Sequence, residues 1–239
     1  MKTLKAIVKG EFQRLLKYNI IQVSFGVSVL WLLILFLIGE ENVGMFLPLV
    51  VFMDLTMMSV LLMGVSLFYE RQENTLKTLM VTPAPVWGIA LSKVIASIYL
   101  AFQSVVVVVG VSYFIFDIGF RFIPLLVFVL VIALAHGIFG FVLSLFSKDF
   151  NGLLALIVAY MIVFAFPSIF YAVDLIPASI EPLLLISPTH VAFLMIDYGF
   201  GEAVPLIDLI LGSAYLVAAS ALLWKYIVIP LYPVKGVKE

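Results

Sequence analysis

Long apolar runs, separated by short polar stretches, set the pattern of this chain. They cover Ile20 to Ile38, Phe46 to Phe68, Val94 to Phe116, Phe122 to Phe146, Leu153 to Ala172 and Leu206 to Trp224. Roughly 20 apolar residues at a rise of about 1.5 Å each cross the hydrocarbon core of a bilayer, so each run predicts a transmembrane helix. A seventh run, Leu183 to Ile196, has only 14 residues and contains Pro188 and His190. It is expected to enter and leave by the same face, within an extracytosolic re-entrant segment over 173–203. Membrane-spanning strands would alternate over about 10 residues, whereas "VVVVVG" (Val105 to Gly110) does not alternate. The first run is too long for the apolar core of a signal peptide and precedes five further spans, so it is expected to remain in the chain. The expected fold is an all-α integral membrane protein with six transmembrane helices, one domain over residues 1–239.

Composition agrees: 65% hydrophobic and 11% charged residues exclude a water-soluble globule. There is no cysteine, hence no disulfide framework and no thiolate nucleophile or metal ligand, and two histidines leave little for metal chemistry. No bound cofactor is expected. Charge decides orientation. With both termini in the cytosol, 12 of the 13 basic residues lie inside and only Arg121 outside, as the positive-inside rule requires of a protein in the cell (plasma or inner) membrane. The opposite face carries Glu40, Glu41, Asp117, Asp174, Glu181, Asp197, Glu202 and Asp208. The basic side reads as a rim facing membrane lipid and not as a nucleic-acid surface.

The stretch "SLFYERQENTLKTLMVTPAPVW", Ser66 to Trp87, is then the cytosolic loop between spans two and three, with 69–85 as its core. Leu76, Leu79 and Met80 share one helix face, and Glu73 precedes Lys77 by four residues, the favourable order for an ion pair. A helix is expected from Glu70 to Met80, ended by "TPAP". It is either a solvated connector or a docking element. At the N-terminus, residues 1–17 form an imperfect amphipathic helix. Leu4, Ile7, Val8, Leu15 and Leu16 lie on one side, Lys2, Lys5 and Lys9 on the other, and Glu11 sits on the apolar side. "SKDFNG", Ser147 to Gly152, is a second short loop on the same face, with Asp149 or Asn151 capping the next span.

"YERQENTLKTLMVTPAPVWGIALSKV" resembles the loop after the second span of ABC-2 type permeases, the membrane subunits of many ABC exporters. Glu70, Arg71, Glu73, Thr75, Leu76, Leu79, Thr82, Pro83 and Lys93 match that pattern, while Asn74 stands where many members have Gly and Lys77 where many have Glu. "ENTL" and "VTP" are similar to the fluoroquinolone export permease subgroup. The resemblance implies a coupling helix that contacts a separate ABC ATPase through Glu70, Arg71, Glu73, Thr75, Leu76, Lys77 and Leu79, with Lys148 and Asp149 as a smaller contact. It also implies an interfacial N-terminal helix, two short re-entrant helices within Asp174 to Asp197, and pairing with a second permease, the same chain or a related one. The expected cargo is a hydrophobic or amphipathic small molecule, drug-like or lipid-like, moved out of the cytosol. The chain has no G-x-x-x-x-G-K-[ST], so ATP and Mg would be bound by the partner.

Polar residues within the apolar runs are the transport-pathway candidates. An ionised carboxylate at mid-membrane costs roughly 2.5 to 3.5 kcal/mol on insertion scales, so Asp54 must face protein, water or a partner. It serves either the pathway or a structural hydrogen bond. His136 leads a stripe with Gly140 and Ser144 at i+4 and i+8, which favours close helix packing over a ligand role. Gln103 is a weaker candidate. A proton-coupled secondary transporter using Asp54 or His136 ranks second, since no repeat relates the first three spans to the last three. A non-transporting assembly subunit ranks third, and no constellation on facing positions suggests a hydrolase.

Overall fold

The computed structural model describes residues 2–82 and 84–235. Pro83 of the "TPAP" turn, and the side chains of Leu76 and Met80, lie outside what is described. Among the described residues six helices are long and apolar enough to cross a bilayer: span one Ile20–Ile38, span two Glu40–Gln72, span three Val86–Phe116, span four Phe122–Phe146, span five Phe150–Ala172 and span six Leu206–Val234. No strand occurs among the described residues. The chain is an all-α membrane protein, as its apolar runs predict.

Spans one and four keep the sequence boundaries, and the others run further. Span two starts at Glu40 because its two glutamates occupy the first turn, where the positive end of the helix favours acids. Only Gly39 separates it from span one, at φ 86°, a conformation that glycine adopts without steric cost. Span three begins at Val86, behind Pro85 with its φ preset near −68°. It runs through Lys93, whose charge ended the apolar run in the sequence but is compensated in the fold. Span six continues through Pro230 after a π turn at Trp224–Val228, and span five carries Pro167 after one at Met161–Ala165. Such widened turns absorb the clash between a proline ring and the preceding carbonyls.

Spans two and four form the centre, 67% and 56% buried over their apolar windows, against 28% for spans one and five and 22% for span six. Span four reaches span two through its small-residue stripe. A Cβ on Gly140 would lie 2.5 Å from the Val60 carbonyl oxygen and 2.8 Å from the Val60 Cα. The backbones touch, and dispersion at close approach holds a pair for which lipid supplies no hydrophobic drive.

Between spans five and six lie a 3-10 turn at Ala178–Ile180, a short helix Glu181–Leu184 and the helix Pro188–Gly199, with a bend of 118°. Pro182 and Pro188 each sit in the first turn of their helices, where a missing N–H costs nothing. Val191 through Ile196 are all buried. Arg121 donates to the carbonyls of Tyr198, Gly201 and Glu202 at 3.1, 3.2 and 3.4 Å and lies 4.2 Å over the Tyr198 ring. Arg121 is therefore a cap for the negative end of this helix. At the helix's other end, Ser187 donates to the Phe164 carbonyl at 3.0 Å and Thr189 donates to the same oxygen, tying it to the π turn of span five.

Candidate functional site: the basic end of the bundle

The helix expected over Glu70 to Met80 is two helices. Span two runs to Gln72 and a separate helix covers Thr75–Met80. Asn74 breaks them at φ 55°, a left-handed conformation that asparagine takes more readily than most residues. Residues 69 to 72, assigned from sequence to the loop, belong to the span, so the connection begins at Glu73.

That break redirects the side chains singled out above. Glu73 accepts hydrogen bonds from Lys17 Nζ at 2.5 Å and Tyr18 OH at 3.0 Å, so it ties the connection to the end of the N-terminal helix Lys2–Lys17. The bond from Lys17 holds its carboxyl below the ordinary value. Tyr18 stacks on Tyr69 at 5.3 Å, and burial and its bond to Glu73 push its hydroxyl up to about 12. Leu79 packs against the apolar cluster that contains Phe141 and Tyr232, while Thr78 and Thr82 stay exposed and Val81 is 84% exposed. Thr75 and Lys77 are half-buried.

Glu70 and Arg71 turn inward. Glu70, Glu11 and Lys93 are each at most 2% exposed. Lys93 Nζ donates to Glu11 at 3.1 and 3.3 Å and to Glu70, and Arg14 donates through Nε to Glu70 at 2.8 Å and through Nη2 to Glu11. Two carboxylates and two cations thus balance in one buried cluster that joins the N-terminal helix to spans two and three. Burial alone would raise the Glu11 carboxyl, but Lys93 and Arg14 outweigh it and hold it below its ordinary value. Burial would lower the Arg14 guanidinium, and Glu11 and Glu70 reverse that and raise it. Arg71 donates to the Ser147 carbonyl at 3.1 Å, to Ser144 Oγ at 3.0 Å and to the Ser144 carbonyl, capping span four. Asp149 caps span five by accepting from Gly152 N at 2.7 Å, and Lys148 and Asp149 stay exposed.

Sequence reasoning placed Glu70 and Arg71 among the coupling residues, with a second role of fixing the helix to the ends of the spans; the structure shows both bonded within the bundle. It passed over Arg14 and Lys17, and gave Glu11 and Lys93 no role. The available signal was Glu11: a carboxylate on the apolar side of an amphipathic helix needs a buried cation.

At mid-membrane, Asp54 begins a π turn, Asp54–Met58, and accepts from Ser104 Oγ of span three, which pairs with Ser28 of span one at 2.7 Å. Gln103 donates to the Ile21 carbonyl at 3.4 Å. His136 Nδ1 lies 3.0 Å from the Ile132 carbonyl of its own helix, and its ring packs 5.5 Å from Phe139. The structure joins Asp54 to the first and third spans, and His136 bonds within the fourth. Among the described residues no group of three or more His, Asp or Glu is placed to hold a metal ion.

Six helices long and apolar enough to cross a bilayer make this a multi-pass membrane protein. The sequence model of the ABC-2 type transporter family matches residues 2–200, so the chain belongs to that family and is the membrane permease component of an ABC transporter. Comparison with curated proteins gives no match.

Proposed function

We propose that the chain is the membrane subunit of an ABC exporter, worked by a separate ATPase that docks on the basic face in the cytosol. On this reading it carries a hydrophobic or amphipathic small molecule outward across the cell membrane, as a pair of permeases. The resemblance to fluoroquinolone export permeases supports a drug-like cargo. The observation that carries the proposal is the jointed helix Thr75–Met80. It hangs from span two at Asn74, exposes Thr78, Val81 and Thr82, and sits beside a buried charge cluster that ties the N-terminal helix to spans two and three. A push on that helix reaches span two directly. Through Glu73 it reaches Lys17 and the N-terminal helix, and through Glu70 and Lys93 it reaches span three.

Glu73→Lys tests the path. It places a cation against Lys17 and alters the charge beside the docking helix, so ATP turnover by the assembled transporter should fall while membrane insertion stays at the parent level. Glu41→Lys, an equal charge change on the other face, should hydrolyse ATP like the parent. Equal turnover in both variants would reduce the helix to a solvated connector.

A further inference from the structure

The charge cluster at the basic end is balanced within itself, but the mid-membrane carboxylate of span two is not. The hydrogen bond to Asp54 comes from a neutral group, the Ser104 hydroxyl, and the residue is only 4% exposed. A carboxylate buried in this way requires a positive charge or a proton. Beside it is a cavity of about 10 Å³, lined by Ser24 of span one, Asp54 and Ser59 of span two, and Ser97 and Ser104 of span three. Ser97 donates to the Val94 carbonyl at 2.9 Å, and Ser104 donates to Asp54 while it accepts from Ser28 at 2.7 Å. The Ser97 and Ser104 oxygens each keep a lone pair. Ser59 lines the same cavity, is 6% exposed, and its Oγ has no hydrogen-bond partner. The π turn that starts at Asp54 interrupts the helix here, a feature frequent at functional sites.

We propose that Asp54, Ser59, Ser97 and Ser104 form a binding site for a small monovalent cation of sodium's size, held between spans one, two and three. Oxygen donors suit a hard cation. One carboxylate matches one positive charge, where calcium sites gather several. A space of about 10 Å³ suits one water-sized species. The cation would join span two to span three, in a cavity that Ser24 of span one also lines. This inference stands apart from the choice of cargo.

Thermal unfolding of the purified full chain in micelles tests it, in sodium, potassium and choline chloride at matched ionic strength. Sodium at ten times its dissociation constant should raise Tm by about 3–6 °C over choline, with a smaller rise in potassium. Asp54→Asn should abolish the difference between salts. Ser59→Ala, which keeps the carboxylate, should raise the half-saturating sodium concentration about tenfold. Identical Tm in the three salts would overturn the proposal, as would a sodium response that survives Asp54→Asn or is unmoved by Ser59→Ala. A stability that follows pH equally in every salt would make a proton the occupant and overturn it too.

Discussion

Lys93→Met takes the ammonium out of the buried cluster and leaves Glu11 and Glu70, each at most 1% exposed, to share Arg14. Methionine keeps most of the volume, so the loss is electrostatic. Breaking a buried ion pair by removing one partner costs roughly 3–5 kcal/mol, because the remaining charge stays desolvated. For a chain of this size about 2–4 °C of Tm goes with each kcal/mol, so the variant should unfold about 6–20 °C below the parent. Adding Glu11→Gln removes one anion and restores the balance as one arginine and one glutamate. Removing a whole pair is close to neutral, so the double variant should recover more than half of the loss. The assay is thermal unfolding in micelles at pH 7, read as a double-mutant cycle. A Lys93→Met variant within about 2 °C of the parent, or a double variant whose loss equals the sum of the singles, would refute the reasoning.

The Glu11 carboxyl sits below its ordinary value of 4.5 in the folded chain. Its contribution is therefore complete above pH 4.5 and fades as pH falls through the folded value. Unfolding scans should show parent stability dropping below pH 4.5 more steeply than that of Glu11→Gln. Gly140→Leu drives a side chain into the Val60 backbone, 2.5 Å from where its Cβ would sit. Overpacking of this kind costs about 1–3 kcal/mol or more, and folded yield should fall with it. Single cysteines at Asn42, Gly119 and Ser179 should react with an impermeant thiol reagent added outside cells, and those at Gln72 and Asn151 should not. All five positions are exposed in the structure, so labelling reports orientation and not burial.

Spans one and four were legible to the residue because their apolar runs end at polar residues or breakers that also end the helices. Spans two, three and six were longer than their runs for particular reasons. Glu40 and Glu41 stabilise a helix start while reading as loop, Lys93 is neutralised by residues 82 and 23 positions away, and Pro230 follows a π turn. The helix Thr75–Met80 was legible in period but not in its joint, since the left-handed φ of Asn74 leaves no periodic trace. The inward turn of Glu70 was hidden for the same reason as the role of Lys93. Each completes a pair whose other members lie on a separate helix, and a single sequence contains no record of that meeting. The cap of span five was readable as Asp149 or Asn151, and the structure makes it Asp149, which bonds the third residue after it.

The central claim is that Thr75–Met80 and its exposed end meet an ATPase. A photo-crosslinking amino acid at Val81, 84% exposed at that end, tests it in the native cell, with the same probe at exposed Gly119 as the control. Irradiation should join the Val81 probe to a soluble chain whose peptides, by mass spectrometry, include a G-x-x-x-x-G-K-[ST] loop, and the Gly119 probe should not capture it. Capture of no P-loop chain at Val81 under conditions where the transporter is active, or equal capture at both positions, would contradict the account.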